Sequence, residues 1–268
     1  MYVKVGGLRI RYNEYGINNS RHVLFIHGLG SSSATWGDIP ETLSEYFHSI
    51  VVDLIGFGKS DKPKADYTVN YYSQFIRNFL EQIGIKDQDR ITIIGHSLGG
   101  YIALDYAIGN KEKIDKLVLI DSSGMLNHPT PLLEQYLDAA LETDYFSRYR
   151  KVTRVFEDLL AEPSRYIPSK TIAFIGTMDE PYAKHAFESA YRNSTTISLD
   201  LERLKQIKDI PCLIIWGKDD ELIPSSHIDR FKSVLKESQV EVIDNAGHSP
   251  HVEKPSKVYD KIKTFLTN

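Results

Sequence analysis

Residues 91–100 read Ile91-Thr92-Ile93-Ile94-Gly95-His96-Ser97-Leu98-Gly99-Gly100. The apolar run predicts a buried strand, and the apolar residues at helical spacing that follow it predict a helix. A Gly-x-Ser-x-Gly pattern between a strand and a helix is typical of a tight turn that exposes a nucleophilic serine, because side chains at both glycine positions would collide with the backbone. We therefore predict that Ser97 is a nucleophile and that the amide of Leu98, at the helix start, stabilises developing negative charge.

Short apolar runs without alternation recur along the chain, separated by segments of helical spacing. Such runs predict strands that are buried on both faces. Repeated strand and helix units predict an α/β fold with a mostly parallel central sheet and helices on both sides. An antiparallel hairpin across Gly6-Gly7 is predicted to precede this sheet. The core strands are predicted at residues 23–26, 49–53, 91–95, 117–121, 213–217 and 240–243.

The regular alternation of strands and helices is interrupted once, because roughly eighty residues separate two core strands whereas the other connections are short. The apolar residues of this interval keep helical spacing, and prolines interrupt it. We predict that residues 125–203 form a helical cap and that residues 1–124 and 204–268 form the core domain. A cap over the carboxyl ends of the strands would shape the substrate pocket and exclude water, although a helical subdomain present for stability fits the same pattern.

Composition excludes several classes of function. The 268 residues suit one α/β domain, and no apolar run approaches the roughly 18 residues of a membrane span. The start of the chain does not read as a signal peptide, so we predict a cytoplasmic protein. The net charge of −4 is spread along the chain and gives no footprint for nucleic acid. Cys212 is the only cysteine and lies in an apolar run, so neither a disulfide nor a cysteine metal site is expected.

A serine nucleophile needs a base, and two histidines follow the last predicted strand. His248 is the preferred base because it follows Gly247 directly in a tight loop. His251 is the alternative, since it comes after Pro250 on the way into the last helix.

A histidine base needs a carboxylate that fixes its tautomer. The strand at 213–217 is followed by Asp219 and Asp220. We prefer Asp220 and keep Asp219 as the runner-up, although both are common turn residues. Asp121, at the end of the strand at 117–121, is a third candidate.

An oxyanion hole needs a second donor besides the amide of Leu98. The glycine-rich loop His27-Gly28-Leu29-Gly30 follows the strand at 23–26. We predict that the amide of Leu29 is this donor and that His27 braces the loop.

The candidate nucleophile, acid and base follow one another along the chain in the order Ser97, Asp220, His248. With this order, the chain resembles the α/β-hydrolase superfamily over nearly its whole length. The resemblance implies Asp220 as the acid, His248 as the base and a cap that enters after the sixth strand. Haloalkane dehalogenases and epoxide hydrolases carry Asp at the position of Ser97, so those branches are set aside. The segments that carry the resemblance are residues 27–30, 53–60, 95–100, 216–220 and 247–255.

The resemblance implies a serine hydrolase, but esterases, lipases, carbon–carbon bond hydrolases and lactonases share these parts. We expect a carboxylesterase that cleaves small esters of short to medium acyl chains through an acyl-enzyme, without a metal or organic cofactor. A carbon–carbon bond hydrolase, a lactonase and a receptor-like ligand-binding protein are the alternatives. Nothing in the sequence indicates a charged-substrate clamp or a lipid-surface anchor. The sequence does not distinguish a monomer from a homodimer.

Overall fold

Eight strands form one sheet in the parts of the chain that the computed structural model describes, residues 1–86, 88–162 and 167–268. The strands are β1 (Tyr2–Val5), β2 (Leu8–Tyr15), β3 (His22–Ile26), β4 (His48–Val52), β5 (Ile91–His96), β6 (Ile114–Ile120), β7 (Cys212–Gly217) and β8 (Gln239–Ile243). Their order is β1-β2-β4-β3-β5-β6-β7-β8. The pairs β1·β2 and β2·β4 are antiparallel and all the others are parallel, so the predicted mostly parallel sheet is confirmed.

Helices lie between most of the strands. They are α1 (Ile39–Leu43), α2 (Val69–Gln82), α3 (Leu98–Gly109), α4 (Pro131–Leu141), α5 (Tyr145–Asp158), α6 (Ile167–Met178), α7 (Ala183–Thr195), α8 (Leu201–Leu204), α9 (His227–Lys232), α10 (Pro250–Glu253) and α11 (Pro255–Thr267). None of the described helices is long and apolar enough to cross a membrane.

Apolar side chains cover both faces of the sheet, which explains why the strand sequences do not alternate. In β3, Leu24 and Ile26 belong to the cluster beneath α2 and α3, whereas Val23 and Phe25 belong to the cluster beneath α1 and α11. All four side chains are fully buried. Packing on both faces fixes the position of the parallel strands. Their carboxyl ends lie at one edge of the sheet, which is where ligands bind in open α/β sheets.

Helices α4 to α7 occupy the long connection between β6 and β7, at the place predicted for the cap. Residues 163–166, between α5 and α6, lie outside the described part. One side of this helical unit is fastened to the core by an ion pair of 2.7 Å between Lys62 Nζ and Glu180 Oε2. Nearby, the Tyr67 amide donates to Ser189 Oγ at 2.9 Å.

Candidate active site

Ser97 lies on the turn between β5 and α3 with φ 53° and ψ −118°. This left-handed backbone is rare for residues other than glycine and persists only where its surroundings enforce it. A Cβ at Gly95 would lie 2.4 Å from the Gly99 carbonyl oxygen, and a Cβ at Gly99 would lie 2.1 Å from that of Ile26. The Ser97 amide also donates to the Ile120 carbonyl at 3.0 Å. The motif therefore forms the strained turn that the sequence predicted.

His248 lies in the loop after β8 and pairs with Asp220. Its Nδ1 is 2.8 Å from Asp220 Oδ2, and both side chains are buried. The other oxygen of Asp220 accepts from the amides of Leu222 and Ile223, both at 2.9 Å. These two amides hold the carboxylate so that its free oxygen faces the imidazole, as a base needs if its tautomer is to be fixed.

Ser97 and His248 line the same cavity. Within the described residues, Ser97 Oγ makes no hydrogen bond with any protein atom. Contacts between nucleophile and base are often long in unliganded enzymes and tighten when substrate binds. The arrangement can therefore support proton transfer from Ser97 to His248 once a substrate is bound.

The two other carboxylates proposed from sequence have different surroundings. Asp219 is exposed, and its side chain makes no hydrogen bond or ion pair with described residues. Asp121 is fully buried, and its Oδ1 accepts from the Gly217 amide at 2.8 Å. Burial raises the pKa of Asp121 well above its ordinary value, and the charge of Asp220 raises it further. Burial and the charge of Asp220 therefore favour the neutral form of Asp121, which lies beside the pair of Asp220 and His248.

One ligand atom each of Asp121, Asp220 and His248 lies within 4.8 Å of the others, a spacing that could hold a metal ion. However, His248 Nδ1 and Asp220 Oδ2 already bond to each other. A carboxylate hydrogen-bonded to an imidazole in this way orients the imidazole for acid–base chemistry.

His251, the alternative base, points elsewhere. Its Nε2 is 3.2 Å from Thr35 Oγ1, and its ring lies against Trp36 at a centroid distance of 4.8 Å. Burial lowers the pKa of His251 to about 3, with further contributions from His248 and Lys170. The His251 side chain is therefore neutral, and it is packed against Trp36 in the wall of the cavity.

The loop after β3 passes close to Ser97. A Cβ on Gly28 would lie 3.1 Å from the Ser97 Cβ. Among described residues, no hydrogen bond uses the amide of Leu29 or of Leu98, so both donors are free. His27 braces the loop as expected, because its Nε2 accepts from the Leu54 amide at 3.0 Å and its Nδ1 is 2.8 Å from the Gly28 carbonyl oxygen.

The cavity over Ser97 has a volume of about 1170 Å³ and is roofed by aromatic rings from α4 to α6. Tyr136, Phe156 and Phe174 line it, and the Tyr136 hydroxyl is 3.4 Å from the Leu29 carbonyl oxygen. Phe187 is fully buried behind them. Sequence spacing could not divide these aromatic residues between pocket and core, because that division depends on how the helices pack on the sheet.

Comparison with known proteins agrees with this geometry. The family model described as the alpha/beta hydrolase fold matches residues 21–255. The chain belongs to the α/β-hydrolase family. It is 27% identical over 264 residues to Lipase 1 of Psychrobacter immobilis, which covers 97% of this chain and 81% of the lipase.

Two further relatives widen the range of reactions. The chain is 24% identical over 283 residues to the 2-hydroxy-6-oxo-6-(2'-aminophenyl)hexa-2,4-dienoic acid hydrolase of Metapseudomonas resinovorans, covering 99% of this chain and 90% of that enzyme. An esterase structure from Exiguobacterium antarcticum superposes with a TM-score of 0.83 at 20% identity, covering 100% of this chain and 99% of the esterase. The protein is thus a hydrolase of this fold.

In this α/β hydrolase, the end of α5 contacts the loop that carries His248. The His248 amide donates to the Leu159 carbonyl at 2.8 Å. Glu253 joins the same two segments, since its Oε1 accepts from the Gly247 amide and its Oε2 from the Ala161 amide, both at 2.9 Å. These contacts link residues far apart in the chain, so no sequence pattern pointed to Glu253 or Leu159.

We expect Glu253→Gln to lower kcat about tenfold with little change in KM, because one of the two amides would then face a side-chain NH₂ instead of an acceptor. His248 would lose part of its support, whereas the substrate pocket would keep its lining. Steady-state kinetics on a chromogenic ester measures the effect.

Glu180→Gln is the matched control, because Glu180 fastens the opposite side of the same helical unit through Lys62 and does not touch the His248 loop. We expect it to change kcat by less than about twofold. Equal losses in the two variants would show that Glu253 acts only through general attachment of these helices.

Proposed function

We propose that this hydrolase cleaves carboxylic esters of small substrates with short to medium acyl chains. Ser97 is the nucleophile, His248 the general base and Asp220 the acid that orients it, and the amides of Leu29 and Leu98 form the oxyanion hole. Residues 125–203 are proposed to act as the cap over this site.

The main support is the 2.8 Å contact between His248 Nδ1 and Asp220 Oδ2 in the cavity that Ser97 enters from its strained turn. The free amides of Leu29 and Leu98, which lie beside the same serine, are further support for the proposal. Asp220 is preferred over Asp219 because it is buried and hydrogen-bonded to the histidine. It is preferred over Asp121 because His248 Nδ1 bonds to Asp220, and because burial and the charge of Asp220 disfavour a negative charge on Asp121.

In the proposed mechanism, Ser97 Oγ attacks the ester carbonyl while His248 accepts its proton, and the carbonyl oxygen becomes an anion held by the two amides. His248 then protonates the departing alcohol, which leaves an acyl-enzyme. A water molecule, deprotonated by the same histidine, attacks the acyl group and releases the acid and Ser97.

Carbon–carbon bond hydrolysis is a second candidate, which the similarity to a dienoic acid hydrolase favours. The substrate that this relative's name describes contains a ketone and no ester, so its hydrolysis breaks a carbon–carbon bond beside the carbonyl. The same serine, histidine and oxyanion donors could act on such a ketone.

A p-nitrophenyl ester series from acetate to palmitate tests the proposal, with a phosphonylating serine probe used in parallel. We expect turnover to be highest for the short and medium chains, because a cavity of about 1170 Å³ is of the size that buries a small ligand. The probe is expected to label Ser97 once, located by mass spectrometry of the digested protein.

Labelling of Ser97 without ester cleavage would favour the carbon–carbon bond reaction, for which a keto-dienoic acid is the substrate to assay. The same result with no turnover of either substrate would favour a receptor-like role. Absence of labelling would contradict the assignment of the nucleophile.

A further inference from the structure

A lysine from α6 enters the cavity that holds Ser97 and His248. Lys170 lies in the first half of this helix and is half-buried, and it lines the cavity beneath the aromatic roof. Burial lowers its pKa, with the charge of Glu253 acting in the opposite direction. Its ammonium group is therefore partly removed from water.

No described residue forms an ion pair with Lys170. No carboxylate oxygen of the described residues lies within 4.0 Å of its Nζ, and the side chain makes no hydrogen bond with them. The carboxylate oxygens of Glu253, which raise its pKa, already accept from the amides of Gly247 and Ala161. A half-buried ammonium without an anion is costly, and a bound carboxylate would offset that cost.

Two other charged groups on the cavity wall, Glu180 and Asp53, already have partners. Glu180 bonds to Lys62, and Asp53 accepts from the amides of Ser33 and Lys59 at 2.7 and 2.8 Å. Lys170 differs from these two groups, since its ammonium has no partner among the described residues.

Lys170 lines the same cavity as Ser97, His248 and His251. Its ammonium contributes to the lowered pKa of His251, whose ring is 4.5 Å from that of His96. The His96 ring in turn is 4.9 Å from that of His248. A substrate whose carbonyl is held at Ser97 would therefore occupy a cavity whose wall includes this lysine.

We propose that Lys170 is a specificity residue that binds a carboxylate of the substrate, so that the preferred esters are monoesters of dicarboxylic acids. The inference rests on the ester hydrolysis proposed above and names its substrate class. A carboxylate fits better than a phosphate, because one ammonium supplies one compact charge whereas phosphate groups are commonly held by several donors.

Two p-nitrophenyl esters of similar size test this inference, the neutral butyrate and the anionic hemiglutarate. Lys170→Met removes the charge while keeping an unbranched side chain, and Lys170→Arg keeps the charge. We expect Lys170→Met to lower kcat/KM for the hemiglutarate about 10- to 100-fold, mainly through KM, and to change it for the butyrate by less than about threefold. Lys170→Arg is expected to retain most of the preference for the anionic ester.

Lys59→Met is the matched control, since Lys59 is an exposed lysine on the wall of the same cavity. It should leave the ratio of the two kcat/KM values unchanged. Equal losses on both esters in Lys170→Met, or an unchanged ratio, would overturn the role of Lys170.

Binding of free glutarate separates this inference from the proposed reaction. Glutarate is expected to raise the Tm of the wild type and of Lys59→Met, but not that of Lys170→Met, because only a protein that binds the anion is stabilised by it. That pattern would support the carboxylate site even if neither ester were cleaved. Equal stabilisation of all three proteins, or of none, would overturn it.

Discussion

Ser97→Ala is expected to lower kcat/KM for p-nitrophenyl butyrate by about 10⁴-fold or more, because no other group can form the acyl-enzyme. The residual rate would come from the free amides of Leu29 and Leu98 and from substrate binding. The fold should persist, since alanine removes only a hydroxyl that bonds to no described residue. Steady-state kinetics, together with loss of labelling by the phosphonylating probe, measures the effect.

Ser123→Ala is the matched control for this prediction. Ser123 is a buried serine that lines the same cavity, and its Oγ has no hydrogen-bond partner among the described residues. We expect its removal to change kcat/KM by less than about threefold and to leave probe labelling intact. If Ser97→Ala kept substantial activity, the elbow serine would not be the nucleophile.

Asp220→Asn is expected to lower kcat by about 10³- to 10⁴-fold at neutral pH. The amide cannot stabilise an imidazolium by charge, and its NH₂ group would present a donor to His248 or to the amides of Leu222 and Ile223. The substrate pocket itself would remain, so KM should change much less than kcat. Circular dichroism and Tm would show whether the variant is folded.

Asp121→Asn makes the same chemical change in the neighbouring carboxyl. Burial and the charge of Asp220 raise the pKa of Asp121 well above its ordinary value, so the substitution removes a charge that its surroundings already disfavour and keeps the shape of the side chain. We expect less than about a tenfold loss of kcat. A larger loss in Asp121→Asn than in Asp220→Asn would reverse the assignment of the acid.

Most of the fold could be predicted from sequence because its signals are local. The six core strands, β3 to β8, lie within three residues of the predicted runs at either end. The hairpin turns at Gly6-Gly7, and the helical unit enters after β6, as expected. Side chains buried on both faces of a parallel sheet leave continuous apolar runs, which can be read without knowledge of what packs against them.

The elbow could be predicted for the same reason. Gly95 and Gly99 flank Ser97 because a side chain at either position would clash with nearby backbone. The strand and the helix on either side of this turn are also adjacent in the sequence. The choice among carboxylates was harder, since Asp219 and Asp220 are neighbours with equal turn propensity. Their separation into an exposed and a buried side chain follows from the position of the His248 loop.

The sequence by itself determined the sheet, the strained serine turn and the set of histidines and carboxylates from which an acid and a base could come, because periodicity and local sterics are properties of adjacent residues. Only the tertiary structure decided that Asp220 bonds to His248, and that Asp121 is buried beside this pair. It also decided that Glu253 joins the end of α5 to the His248 loop, and that Lys170 lines the cavity without a partner among the described residues. These features depend on distances and burial between segments tens to hundreds of residues apart, which packing alone sets.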